Sequence, residues 1–270
     1  MTSVILVQHN NIHLTREAIR SFISFHPAGY EFIVVDNDST DGDPDDLRRE
    51  FPGLQLIRNN ENVGFGVANN QGATVAKGEI LFFLNNDTVT TSEMLSAISR
   101  EFDRDPQVGV IGPKLLDPDG SFQLSSGELP SFWREMLDKF LYNLVDHGSG
   151  SARNHAGKTF GRERAVGWVT GAALFIRRDL YHKLGGFDEK MFMYFEDKDL
   201  CCRAALAGYT VKYLPGVSLL HIKAGSSGDD QKFTREAYRR SQLYYYATHR
   251  PWIERAMLKA YLKLSGKSPS

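Results

Sequence analysis

From Val4 to Leu84 the chain alternates short apolar runs with polar clusters. Val4 to Gln8, Glu31 to Val35, Leu54 to Ile57 and Ile80 to Leu84 are the apolar runs. Runs this short and continuous predict strands buried on both faces. Each is closed by polar residues: His9-Asn10-Asn11, then Asp36-Asn-Asp-Ser-Thr-Asp-Gly42, then Asn59-Asn-Glu-Asn62, then Asn85-Asn86-Asp87. Between them Ala18, Ile19, Phe22 and Ile23 recur at helical spacing behind Thr15, a residue able to cap a helix. Gly64 to Gly72 opens a second helix that runs to about Ala76. The order β-α-β-β-α-β predicts an α/β domain built on a mainly parallel, nucleotide-binding sheet flanked by helices.

Further along, Met94 to Phe102 reads as an amphipathic helix and Val108 to Ile111 as a strand. Gly112 to Pro130 reads as a loop or hairpin. Ser131 to Lys158 reads as an aromatic-bearing helix followed by a Gly/Ser stretch with the composition of a flexible loop. The second half of Arg164 to Ile176 is a buried strand. The run Met191-Phe-Met-Tyr-Phe195 leads into Glu196 and Asp197 at the start of a helix. Val211 to Leu214 and Val217 to Leu220 predict two short strands, the second ending in His221. Lys223 to Gly228 is a Gly/Ser loop suited to closing over phosphates.

Composition adds little to the class: 270 residues, 41% hydrophobic, enough for one large α/β domain or two small ones. Charge adds more. Residues 231–270 carry nine Lys/Arg and two Glu, a formal +7, which leaves the preceding 230 residues at -8. Ile253, Met257, Ala260 and Leu264 fall on one helical stripe there, with Arg255, Lys259 and Lys263 beside it. Such a tail either packs on the body with a solvated basic edge or lies on an anionic membrane surface. No nucleic-acid partner is expected. Two adjacent cysteines, Cys201 and Cys202, and the lack of a signal-like N-terminal stretch point to a reduced, cytoplasmic compartment. No apolar run approaches the roughly 18 residues that cross a bilayer.

The chemistry sits where the strands end, because open α/β sheets bind ligands off their carboxyl edges. Asp87, flanked by Asn85 and Asn86, suits a hard divalent cation that keeps waters and grips phosphate oxygens. A capping turn is the plainer alternative. Gly64-Phe65-Gly66 lacks the third glycine of a dinucleotide fingerprint and does not follow the first strand, so these glycines are read as allowing a close backbone approach. Trp168, with Thr170 and Gly171, reads as an aromatic wall beside a tight turn, or as core packing. Glu196 and Asp197 follow apolar residues as site carboxylates do, whereas helix capping explains Asp199 as well. A lone His221 after a strand is more simply structural.

Taken together and in order, these pieces resemble the family 2 glycosyltransferases, which have the GT-A fold. The match runs through His9-Asn10, Val34 to Gly42, Asn62 to Gly72, Leu84 to Thr88, Trp168 to Ala172, Phe195 to Arg203 and His221. It covers residues 3 to about 228 and looks most like bacterial rhamnosyltransferases of cell-surface polysaccharide assembly. The implied domain division is 1–230 for the GT-A domain, with 1–112 holding the nucleotide sugar and 113–230 the acceptor, and 231–270 as a basic helical extension.

The resemblance also implies roles. His9, Asn10, Asp36, Asn69, Asn86 and Asp87 match donor-binding positions, Asp36 at the pyrimidine or ribose. Asp87 matches the retained metal carboxylate for Mg²⁺ or Mn²⁺, and His221 a further ligand. Asn85 stands where the family has its first acid, which removes one charge from the metal site. Trp168, Thr170 and Glu196 match the acceptor side, and Asp197 the general base of inverting members. The implied reaction moves a sugar, dTDP-rhamnose being one fitting donor beside UDP and GDP sugars, to a hydroxyl of a saccharide or polyprenyl-linked acceptor, at the inner face of the plasma membrane. A retaining route through a carboxylate nucleophile also fits the residues. So does a non-catalytic sugar-binding protein on the same sheet. A haloacid-dehalogenase-like phosphatase does not, because His9-Asn10-Asn11 occupies the place of its paired aspartates. A sugar-nucleotide pyrophosphorylase would need a glycine-rich basic loop there.

Overall fold

The computed structural model describes residues 1–137, 161–222 and 231–267. The four apolar runs form β1 (Thr2–Gln8), β2 (Tyr30–Asn37), β3 (Gln55–Asn59) and β4 (Ile80–Asn85), all parallel, in the order β3-β2-β1-β4. Helices α1 (Ile12–Phe25), α2 (Asp45–Glu50) and α3 (Phe65–Val75) make the crossovers. Alternation along each strand sends Val4, Leu6, Phe82 and Leu84 to one face with α1, and Ile5, Leu81 and Phe83 to the other with α3. Both faces are therefore dry, as continuous apolar strands require.

The sheet then turns mixed. After β5 (Thr88–Thr90) and α4 (Leu95–Arg104) come β6 (Val108–Leu116), the two-residue β7 (Phe122–Gln123) and β8 (Ser126–Gly127). Next are β9 (Arg164–Ala165), β10 (Trp168–Val169), β11 (Ala173–Arg177), α5 (Arg178–Lys183), α6 (Glu196–Leu206) and β12 (Thr210–His221). Strand β11 inserts antiparallel between β4 and β6, and β12 pairs parallel with β6 and antiparallel with β5. The two short strands expected at 211–220 are one strand. Its register shifts between Leu214 and Ser218, where Pro215 and Gly216 interrupt the ladder. Thr15 does not cap α1 but lies buried within it; Asn11 precedes the helix in a left-handed conformation. Strand β5 had no sequence signal, being three residues long.

The basic tail is two helices, α7 (Gln231–His249) and α8 (Trp252–Leu264), joined by Arg250-Pro251. They share an apolar cluster with Phe132, Met191, Phe195 and Cys202. The buried side of α8 is not the expected stripe: Leu258 and Leu262 are buried, Met257 is half-buried, and Ile253, Ala260 and Leu264 face outward. Both cysteines are buried free thiols. The Gly/Ser stretch near residues 148–151, most of the aromatic helix expected over 131–158, and the phosphate-closing loop at 223–228 lie outside the described residues.

Candidate active site

The carboxyl ends of β1, β2 and β4 open onto a cleft of about 410 Å³. Its floor is Asn85, Asn86 and Asp87; one wall is Trp168, Thr170 and Gly171; the other side is the start of α6 with Glu196, Asp197 and Lys198.

The metal half is assembled by sheet register. Pairing of β12 with β5 sets His221 opposite Thr88, beside Asp87. Nε2 of His221 lies 3.2 Å from Oδ1 of Asp87. Nδ1 of the same ring is 2.9 Å from the Gln123 amide oxygen, to which it donates, so Nε2 is turned towards the carboxylate. An imidazole so oriented by a carbonyl partner beside a carboxylate is a fitting donor pair for a divalent cation. Among the described residues no group of three or more His, Cys, Asp or Glu converges. Two protein ligands suit a Mg²⁺-like ion that takes its remaining oxygens from water and substrate phosphates. When bound, such an ion neutralises charge developing on a diphosphate leaving group.

The carboxylate half is built by strain. Tyr194 and Phe195 both have φ of 67°, a left-handed pair that costs free energy and aims the first turn of α6 into the cleft. Gly64, at φ 89°, lets Phe65 N–H reach the Phe192 carbonyl at 2.9 Å; a Cβ there would meet that oxygen at 2.7 Å. Gly64 thus permits the close approach to a neighbour that its sequence context predicts. Asp197 accepts backbone N–H donors at both oxygens, from Gly171 at 3.0 Å and Lys198 at 2.7 Å. The next residue, Ala172, accepts from Asn85 N–H at 2.9 Å. Gly171 and Ala172 therefore link the Asp197 side of the cleft directly to the Asn85 side.

Beside Asp197, the carboxyl of Glu196 is raised. Burial first, then the charge of Asp197, push Glu196 up to about 8. Its Oε2 is buried with no hydrogen-bond partner among the described residues. Such a carboxyl holds its proton at neutral pH and can donate it in a hydrogen bond to a ligand in the cleft.

His9, Asn86, Asp87, Trp168 and Thr170 thus line one cleft with Glu196, Asp197 and His221. Three other sequence candidates do not line it. Asn10 spends its amide oxygen on Thr40 N–H, tying the β1–α1 and β2–α2 turns together. Asp36 is buried beneath Gln8, whose amide it accepts at 3.0 Å. Asn69 is buried, and its amide donates to Phe65 within α3. Residues the sequence did not single out also line the cleft. Asn37 and Asn62, bonded at 2.8 Å, stand beside Gly64. Lys198 Nζ lies 4.3 Å from the Phe195 ring centroid and 4.9 Å from that of Trp168. Asn37 and Asn62 were visible as members of polar strand ends; Lys198 gave no signal beyond following the carboxylate pair.

Residues 3–185 match the family described as Glycosyl transferase family 2. The chain belongs to glycosyltransferase family 2. It is accordingly an enzyme that transfers sugars. This glycosyltransferase is 32% identical, over 234 residues, to the N-acetylglucosaminyl-diphospho-decaprenol L-rhamnosyltransferase of Mycobacterium tuberculosis, covering 82% of this chain and 76% of that one. Its fold is that of GalNAc-T7 solved with UDP, GalNAc and Mn²⁺: TM-score 0.65, 16% identity, 100% of this chain and 55% of the other. The mannosyltransferase PcManGT of Pyrobaculum calidifontis, solved with GDP-Man and Mn²⁺, superposes with TM-score 0.59 at 19% identity over 98% of this chain and 80% of its own. The glycosyltransferase therefore has the GT-A fold expected from its sequence.

Proposed function

We propose that this enzyme transfers rhamnose from a nucleotide-diphosphate donor, dTDP-rhamnose, to a hydroxyl of a polyprenyl-diphosphate-linked saccharide, with inversion, in cell-surface polysaccharide assembly. The observation that carries the reading is the facing of two halves across one cleft: Asp87 with His221 on one side, Asp197 with Glu196 on the other. Asp87 and His221 would hold a divalent cation, Mg²⁺ or Mn²⁺, which would supply charge neutralisation for a diphosphate leaving group, with residues 1–112 forming the donor half. Asp197, fixed by Gly171 N–H, takes the proton of the acceptor hydroxyl, and Glu196 donates a hydrogen bond to the acceptor. A poor nucleophile such as a sugar hydroxyl needs such a base. One base and one displacement invert the anomeric carbon. Trp168 and Thr170 form the wall where donor and acceptor sugars meet, in the 113–230 half. The rhamnosyl and lipid-linked specificity follows the Mycobacterium tuberculosis relative.

The test is transfer by the purified chain, with and without Mn²⁺, from dTDP-rhamnose, UDP- and GDP-sugars to an N-acetylglucosaminyl-diphospho-polyprenol. A parallel thermal-shift screen reads donor binding by mass action. Rhamnosyl product of inverted configuration, lost on chelation, is the expected result. Transfer only from a UDP- or GDP-sugar would replace the donor assignment, and metal-independent transfer would remove the cation.

A further inference from the structure

Helix α8 is apolar on two sides, and only one of them is used. Inward, Leu258 and Leu262 are buried in the cluster shared with α7. Outward, Trp252 is 76% exposed, Ile253 53% and Leu264 89%, with exposed Ala256 and Ala260 between them. Arg255, Lys259 and Lys263, four residues apart, form a basic ridge beside this stripe, and Lys267 follows in the next turn; all four are exposed. The helix's one acid, Glu254, is turned away: its carboxylate accepts from Arg250 and from the backbone N–H of Phe132. That last bond brings the segment 132–137 to the same end of the molecule, and with it exposed Trp133 and Leu137.

We propose that the outward face of α8 docks the enzyme on an anionic phospholipid bilayer. Charge complementarity selects this occupant. The face carries Arg255, Lys259, Lys263 and Lys267 in exposed positions and no acid, so a continuous layer of anionic headgroups matches its charge along its whole length. Tryptophan beside Lys/Arg is the composition of side chains that settle at the headgroup boundary. Among the described residues no helix is long and apolar enough to cross a membrane, so the contact is a surface one. The docking gives a membrane-embedded acceptor a site held at its own surface, and in that sense it rests on the proposed acceptor; the binding itself does not.

The experiment uses the full chain and vesicles that contain neither donor nor acceptor, so that it stands apart from the sugar assignment. Flotation is measured with phosphatidylcholine vesicles and with vesicles containing phosphatidylglycerol, at low and high salt. Binding to the anionic vesicles, screened by salt and about tenfold or more weaker on the neutral ones, is expected. A Trp252→Ser/Ile253→Ser/Leu264→Ser variant and, separately, a Lys259→Glu/Lys263→Glu variant should each lose it, with circular dichroism and melting temperature unchanged and transfer to a short-chain, water-soluble acceptor retained. Equal flotation of the variants and the parent overturns the proposal. So does failure of the parent to float, or a dimer in light scattering that the triple-serine variant splits.

Discussion

Nε2 of His249 lies 2.6 Å from Oδ1 of Asp199, joining the end of α7 to α6 two residues beyond Asp197. Asp199 is 1% exposed, and its other oxygen accepts from Arg203 at 2.8 Å. Burial alone would raise Asp199, but the hydrogen bonds and charges of His249 and Arg203 outweigh it and hold the carboxyl below its ordinary value. The Asp199 hydrogen bond, followed by that of Cys202, raises His249 from 6.5 to about 9. A raised histidine stabilises the fold fully below its unfolded value and ceases to as pH climbs through its folded value; a lowered carboxyl does the reverse on acidification.

The latch should therefore be strongest near pH 6 and fade towards pH 10. Breaking a buried pair by removing one member costs about 3 kcal/mol. His249→Gln should lower the melting temperature by roughly 6–10 °C at pH 6, and the gap should narrow above pH 9. A pH-independent gap in calorimetric melts would show that packing, not the ion pair, is what was lost.

Asp197→Asn should cut transfer by about 10²–10⁴ while leaving nucleotide affinity nearly unchanged, because the base proposed above would meet the acceptor and not the nucleotide. Single-turnover rates and donor titrations separate the two effects.

Glu196 should act protonated, so activity of the parent should decline as pH rises past about 8. Glu196→Gln, a permanent hydrogen-bond donor, should stay within roughly tenfold of the parent at pH 7 and lose that decline. Its melting temperature should also vary less with pH, since a raised carboxyl withdraws stability between about 4.5 and 8. A rate that instead climbs through pH 8 and vanishes in Glu196→Gln would make Glu196 the base.

Asp87→Ala should abolish Mn²⁺-dependent donor binding. Gln123→Leu, which removes the acceptor at His221 Nδ1 along with a 3.5 Å bond to Asp117 on the far side of the amide, should weaken Mn²⁺ by about 10–100-fold. Calorimetric titration of Mn²⁺ in the presence of donor reads both, and unchanged affinity in Gln123→Leu would show that the ring needs no orienting partner.

Gly64→Ala places a Cβ 2.7 Å from the Phe192 carbonyl in a backbone conformation that L-residues avoid. The strain, about 1–3 kcal/mol, should push the 191–195 turn away and raise the acceptor KM along with lowering the melting temperature. A variant with lowered stability and parental KM would confine Gly64 to folding.

Much of this was legible in the sequence because it is local. Four apolar runs closed by polar clusters are enough to give β1 to β4 and the edge where ligands bind. Asp87 and Asp197 stood out the same way, as polar residues after apolar stretches, and both line the cleft. What depends on distant pairing was not legible. Nothing near Val89 announces a strand, since its partner Leu220 is far along the chain. Asn69 was singled out by the family resemblance alone; that its amide donates to Phe65 within α3 depends on packing that the sequence does not show. That the helix start buries Glu196 as well as Asp197 depends on the left-handed turn at Tyr194 and Phe195, which the sequence does not announce.

The peptide units of Gly171 and Ala172 grip opposite shores of the cleft, one holding Asp197 and the other Asn85. The spacing between Asp197 and the Asn85–Asp87 turn is thus gauged by a short stretch of backbone, and the side chains of the cleft wall can change without moving either end. A single inserted residue in that stretch would keep Asp87 and Asp197 in the chain and shift one against the other.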